Sequence, residues 1–169
     1  MDQSIINFKV YEDSVEYVGM AQATLPDLTA LTQSISGAGI AGNVESVILG
    51  HFDAMTLGLN FRTVTDQSVK LSEPRRHTIV LRVAQQDEDV VAGKVVVRAV
   101  KHILVVIPKS DKGGSVAPAA PSNGSGEYAV RYWATYIDGK KVREVDQLNF
   151  ICYVNGTDYL ADVRKALGM

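Results

Sequence analysis

Val90-Val91-Ala92-Gly93-Lys94-Val95-Val96-Val97-Arg98-Ala99-Val100-Lys101-His102-Ile103-Leu104-Val105-Val106-Ile107 is the stretch that decides the fold of this chain. It is far longer than the usual strand of about five or six residues, and valine occupies both parities of its alternation. Both faces of such a strand are therefore expected to be partly buried. A single small domain rarely covers both, so the reading is that one face or edge is covered by another chain; two ordinary strands broken at Gly93 are the alternative. Lys94, Arg98, Lys101 and His102 interrupt the run and make it a poor membrane span.

Toward the C-terminus, Lys109 to Gly126 is rich in glycine, serine, proline and alanine and reads as a flexible loop within one domain. Glu127 to Ile137, an Asp138-Gly139 turn of type I′ and Lys140 to Val145 then form a hairpin. Its first strand sets Tyr128, Val130, Tyr132, Ala134 and Tyr136 opposite Ala129, Arg131, Trp133, Thr135 and Ile137. Phe150 to Val154 is a further short strand. Asn155-Gly156 turns the chain into a C-terminal helix capped by Thr157 or Asp158, with Leu160, Val163 and Leu167 as its apolar stripe and Gly168 as its end.

Toward the N-terminus, Thr78 to Ala84 reads as a strand. A helix of two turns or fewer starts at Thr65-Asp66-Gln67-Ser68, presents Val69 and Leu71 and stops at Pro74. Met55, Leu57, Leu59 and Phe61 share one face of a half-buried strand, with Thr56, Gly58, Asn60 and Arg62 on the other. Ile5 to Tyr11 and Val15 to Val18, around Glu12-Asp13-Ser14, make a first hairpin. The fold class is mainly β: one domain over residues 1–169, a β-barrel or sandwich protomer with one or two short α-helices including the C-terminal one, and a loop at about 109–126.

Composition narrows the function classes. With 17 basic against 19 acidic residues in 169, the formal charge of −2 argues against a surface that coats nucleic acid by counterion release. The single cysteine, Cys152, excludes an intrachain disulfide and a multi-cysteine zinc site and suits a reducing compartment. Asp2, Gln3 and Ser4 follow Met1 with neither a positive n-region nor an h-region, so the reading has no signal peptide and a soluble chain made inside the cell.

No motif assembles into a reaction centre. Gly37-Ala38-Gly39-Ile40-Ala41-Gly42 is a literal G-x-G-x-x-G, but the dinucleotide fingerprint needs a buried strand before it and a helix after it, and here the β-favouring Val44 to Leu49 follows. It reads as a tightly turning glycine loop. His51, His77 and His102 lie far apart without ligand spacing, so no metal is expected. Cys152 alternates within a strand and reads as a small buried side chain. Asp138, Glu144, Asp146, Asp158 and Asp162 each fit a turn, a cap or a solvated face. Asn155-Gly156-Thr157 matches a glycosylation sequon without the secretory signal that would make it relevant. Arg75-Arg76-His77 is too small a basic cluster for a nucleic-acid face. Neither cofactor nor catalytic residue is assigned.

Several stretches carry a resemblance. At the front these are Ile5-Ile6-Asn7-Phe8, Thr24-Leu25-Pro26-Asp27-Leu28, Gly37-Ala38-Gly39-Ile40-Ala41-Gly42 and Leu49-Gly50-His51-Phe52. In the middle are Leu59-Asn60-Phe61-Arg62-Thr63 and His77-Thr78-Ile79-Val80-Leu81-Arg82. At the end are Ile137-Asp138-Gly139-Lys140, Glu144-Val145-Asp146-Gln147-Leu148-Asn149, and Asn155 to Arg164 with Leu167-Gly168. Together they resemble the major tail tube proteins of contractile-tailed, P2-like bacteriophages over nearly the whole chain, except at Lys109 to Gly126. The resemblance implies a protomer that forms six-membered rings, with strands joining across protomers into an inner barrel and rings stacking into a tube. It implies the sheath, baseplate and tape measure proteins as partners, DNA passing through the channel without specific binding, no catalytic residues and no membrane anchor. The implied location is the virion tail, assembled in the host cytoplasm.

On this reading Gly37 to His51 is a loop or hairpin that orders at the contact between rings, with Gly37, Gly39, Ile40, Gly42, Leu49 and His51 as contact residues. Lys140, Lys141 and Arg143 are expected to turn toward partner chains or solvent. The competing reading is a small ligand- or carbohydrate-binding β-barrel module, for which Tyr128, Tyr132 and Tyr136 on one strand face would be the platform; the plainer role for those tyrosines is sheet packing.

Overall fold

The computed structural model describes residues 2–17 and 19–169, with the side chains of residues 2 and 3 left aside. Among these residues the strands in chain order are β1 (Asp2–Glu12), β2 (Val15–Tyr17), β3 (Met20–Thr24), β4 (Ala30–Ile35), β5 (Val44–Phe52) and β6 (Met55–Phe61). After helix α1 (Asp66–Lys70) come β7 (His77–Asp89), β8 (Lys94–Lys112), β9 (Gly124–Ile137), β10 (Lys140–Asp146), β11 (Ile151–Val154), β12 (Thr157–Asp158) and helix α2 (Ala161–Ala166). The mainly β class with a C-terminal helix is as the sequence predicts. Val18, which the reading placed in the first hairpin, lies outside the described residues.

The main sheet runs β12-β11-β10-β9-β8-β7-β1-β2, and β6 adds to β9 with β3 beyond it. Strand β9 serves two partners on one edge: Gly124 to Val130 pairs with β6, and Tyr132 to Ile137 pairs with β10. β2 ends at Tyr17 and β3 begins at Met20. Three residue steps span at most about 11 Å, so the two far sides of the sheet are drawn together and the sheet curls. Its concave face holds one core cluster drawing Val10, Leu57, Leu59, Ile79, Leu81, Leu104, Trp133 and Val145 from six strands, with Tyr17 and Met20 packed into the same cluster. The predicted face of β6 is the buried one: Met55, Leu57, Leu59 and Phe61 are all in the core.

Six expectations need correction. The long valine run is not one strand from Val90. Val90–Gly93 is the turn between β7 and β8, with Gly93 N–H donating to the Asp89 carbonyl at 2.8 Å and the Asp89 carboxylate accepting from Val91 and Ala92 N–H. β8 then runs on to Lys112, and the loop expected at 109–126 contracts to 113–123. Glycine and serine did not prevent pairing there, because Ser125 and Gly126 are held from both sides, by β6 and by β8.

The tyrosines do not share a face. Val105 pairs with Tyr132 while Val106 pairs with Val130, so Arg131 is an extra, bulged residue that inverts the alternation. Tyr128 and Val130 face the core before the bulge and Trp133 faces it afterwards, leaving Tyr132 and Tyr136 on the opposite face.

In α1, Thr65 and Ser68 cap one another reciprocally and Leu71 is buried, but Val69 is exposed. Thr157 and Asp158 do not cap α2, since they belong to β12 and Leu160 precedes the helix. Asp158 still holds the entry: its carboxylate accepts from Leu160 N–H at 3.1 Å and pairs with Arg164 at 2.5 Å. Of the expected stripe, Leu160 is buried whereas Leu167 is exposed, so the six-residue helix is anchored at its N-terminal end.

Candidate functional site

β4 and β5 form a two-stranded sheet of their own, paired from Ala30↔Phe52 to Ile35↔Val44. An isolated hairpin is marginal in water unless something covers it. Here Leu31, Ile35, Val44, Val47, Ile48 and Leu49 remain exposed on both faces, so this chain's own core does not cover it. The base is fastened to the body. Gln147 Nε2 donates to the Phe52 and Asp53 carbonyls at 3.0 and 3.3 Å, and Asp53 N–H donates to the Thr29 carbonyl at 2.8 Å. Ile48 to His51 bulge opposite the single Leu31. Within the bulge Gly50 has φ +66 and packs so closely on Leu160 that a Cβ there would lie 2.6 Å from its side chain.

The six residues singled out in the sequence all lie on this hairpin. Gly37, Gly39, Ile40 and Gly42 form its loop, where Ile40 N–H donates to the Gly37 carbonyl and Gly42 N–H to the Ile40 carbonyl, each at 3.2 Å. Leu49 and His51 lie in the bulge of β5 and are exposed.

The second exposed apolar region is the far end of the β7–β8 hairpin. β9 pairs with β8 only from Val100 onward, so Lys94 to Ala99 has one edge without a ladder partner among the described residues. Val90, Val91, Val95, Val96 and Val97 are all exposed around it. β1 covers the other side of β7 as far as Asp87, and β2 pairs with β1 only at Val10 to Glu12. The distal end is thus a three-stranded sheet with two open edges.

Inside the protein are two polar groups that the sequence did not disclose. Glu12 is buried and accepts from Tyr17 Oη, from His77 Nδ1 at 2.6 Å and from Arg75 at 3.1 Å; His77 Nε2 donates to the Glu73 carbonyl at 3.0 Å. Burial alone would raise the Glu12 carboxyl, but the hydrogen bonds from Tyr17 and His77 and the charges of His77 and Arg75 hold it below the ordinary carboxylate range. His102 is buried beside Trp133, whose indole N–H donates to His102 Nδ1 at 3.3 Å, and Thr135 Oγ1 lies 3.0 Å from the same nitrogen. Burial, and then the charge of Arg143, push the imidazole down to about 4. Arg143, expected to turn outward, instead lies over the Trp133 ring at 4.0 Å.

The acidic scatter resolves into structural roles. Asp138 accepts from Ala99 N–H, Glu144 from Tyr132 Oη and Lys141 Nζ, and Asp146 from Leu148 and Asn149 N–H. Burial, with the charge of Asp158, raises the Cys152 thiol, and burial, with that of Asp111, pushes the Tyr128 phenol up to about 12. Among the described residues no three His, Cys, Asp or Glu side chains converge as a metal site, and no helix is long and apolar enough to cross a membrane.

Much of the exposed apolar surface of this mainly β chain lies on the β4–β5 hairpin and beside the open strand edges, surfaces suited to contact with other protein surfaces. The family profile of phage tail tube protein FII matches residues 2–168, and the chain belongs to that family, a component of the phage tail. A comparison with curated protein sequences found no match. Among solved structures, it is similar to a chain of the sheath/tube terminator of an extracellular contractile injection system, PVC, in the extended state: TM-score 0.53 at 10% identity, covering 78% of this chain and 94% of that one. It is also similar to a chain of the PVC sheath-tube complex in the extended state, with TM-score 0.50 at 11% identity over 77% and 88% of the two chains. At these identities the likeness is one of fold.

Proposed function

We propose that the protein forms six-membered rings that stack into the inner tube of a contractile phage tail, through which DNA passes during injection. The observation that carries this reading is the β4–β5 hairpin, an exposed two-sided apolar sheet fixed only at its base. Burying apolar side chains of this kind against a neighbour is favourable by about 25 cal/mol per Å². Gly37, Gly39, Ile40, Gly42, Leu49 and His51 make the contact between rings. The open edges of the distal three-stranded sheet allow strands to join across protomers.

The tube is surrounded by a sheath protein, nucleated by the baseplate and occupied by the tape measure protein before DNA enters. Support for the sheath comes from the solved neighbour seen in a sheath-tube complex. The tail is assembled in the host cytoplasm and belongs to the virion. DNA is carried through the channel without specific binding. A carbohydrate-binding module is disfavoured because Tyr128 is in the core and separated from Tyr132 and Tyr136 by the bulge.

Sedimentation velocity and electron microscopy of the purified protein across a wide concentration range test this. Rings and hollow polymers are expected. A monodisperse monomer at every concentration, with no tubes, overturns the reading.

A further inference from the structure

The strand registers place cations side by side on the face of the sheet turned away from the core. Lys9 on β1 is directly opposite Arg82 on β7, and Arg82 is opposite Lys101 on β8. Like charges in such positions destabilise a sheet. Lys9 is matched by Glu16 at 3.1 Å. Lys101 lies over the Tyr136 ring at 4.8 Å, and no carboxylate pairs with Arg82 or Lys101 among the described residues. Two residues along each strand, about 7 Å away, Ala84 and Ala99 form the next opposite pair on the same face. Both pairs line a groove of about 450 Å³, with Val97 beyond them.

The complementary pattern is on the β4–β5 hairpin. Between Ala30 and Phe52 the only Lys, Arg, Asp or Glu is Glu45. It is exposed and stands opposite Ser34, and among the described residues it has no ion pair or side-chain hydrogen bond. Val47, opposite Thr32, is 63% exposed on the same face of the hairpin. Glu45 and Val47 are two residues apart, as are Arg82 and Ala84 on β7, and Lys101 and Ala99 on β8. One face of the hairpin thus presents a carboxylate and an apolar side chain at the spacing at which the groove presents two cations and two alanines. A carboxylate set between two cations also offsets the repulsion between them.

We propose that the groove seats the β4–β5 hairpin of a second copy of the chain, with Glu45 between Arg82 and Lys101 and Val47 on Ala84 and Ala99. The proposal rests on the self-assembly reading above and specifies the surface that receives the hairpin. Gln147 fastens the hairpin to its own chain at the base, which leaves the Glu45 end available to a neighbour. Hairpin and groove are different surfaces, so the contact is heterologous and propagates from copy to copy.

Charge reversal tests it. Glu45→Lys reverses the hairpin, and Arg82→Glu/Lys101→Glu reverses the groove. Melting curves of the dilute proteins establish that each is folded; because Glu45 is exposed, its variant carries the test even where the groove variant fails to fold. Either reversal alone is expected to raise the protein concentration needed for polymer formation about tenfold or more. All three substitutions in one chain restore assembly, because hairpin and groove then match again with their signs exchanged. Wild-type polymers with Glu45→Lys protein assembling equally well overturn the proposal and leave the tube reading intact. A folded triple variant that assembles no better than the single reversals does the same, since Glu45 then meets another surface. Wild-type protein that never assembles overturns both. Duplex DNA that co-sediments with the wild type and is released by Arg82→Gln/Lys101→Gln, with assembly unchanged, shows that the anion is nucleic acid and refutes the hairpin as occupant.

Discussion

Mild acid is expected to destabilise the free protomer through His102. In the folded chain the Trp133 indole N–H, a donor only, points at His102 Nδ1. A proton on that nitrogen would oppose donor to donor in a buried site. Burial and Arg143 hold the imidazole down to about 4, against about 6.5 in an unfolded chain. A base whose folded value lies below its unfolded value contributes stability that is complete above the unfolded value and is lost as the pH falls toward the folded one. The whole gap corresponds to about 3 kcal/mol, and about 2 kcal/mol of it disappears between pH 7 and pH 5. Urea unfolding of dilute, unassembled protein at the two pH values measures this in the wild type and in His102→Gln, which keeps an acceptor for the indole. The wild type is expected to lose about 2 kcal/mol more than the variant over that interval. Equal losses in both proteins refute the assignment to His102.

Leu160→Ala removes the side chain that anchors α2 and fills the space against Gly50; a cost of about 2–5 kcal/mol is expected, read as a melting temperature several degrees lower. Gly50→Ala forces a Cβ onto Leu160 at a positive φ and costs more than about 1 kcal/mol, but less in the Leu160→Ala background, so a double-mutant cycle shows strong coupling. Gly39→Val has open space around it at φ +92; the protomer melts as the wild type does within about 1–2 kcal/mol while polymers fail to form, and hydrogen exchange of residues 37–51 that is equal before and after wild-type assembly would count against a contact there. Glu12→Gln leaves His77 and Arg75 facing a neutral amide in a buried site and lowers stability by about 3 kcal/mol or more, measurable by the same urea titration.

How much of this was legible in the sequence follows the range of the interaction. β6 was readable because one face is wholly buried, so Met55, Leu57, Leu59 and Phe61 keep strict alternation. The β9–β10 hairpin was readable because Asp138 and Gly139, at φ 49 and 80, are residues that a type I′ turn accepts. The β4–β5 hairpin was marked by its closely spaced glycines and by the β-favouring Val44 to Leu49 after them. What the sequence hid depends on register. Glu12 and His77 meet across 65 positions, and Lys9, Arg82 and Lys101 become neighbours only when three strands are aligned. The length of the valine run was read as an excess of apolar surface, but its first four residues are a turn, which Gly93 at φ 63 marked and the valines around it obscured.

The bulge at Arg131 gives that position an unusual kind of constraint. Its side chain is exposed, so a wide choice of residues can stand there. Its presence is another matter, because β9 hands its edge from β6 to β10 at this point and the extra residue sets the phase for everything downstream. Deleting it would turn Trp133 and Thr135 outward and send Tyr132, Ala134 and Tyr136 into the core, taking His102 and Arg143 from their partners in one step. Position 131 is therefore free in identity and fixed in number: it tolerates substitution and forbids deletion, the reverse of what an exposed residue outside the core would suggest.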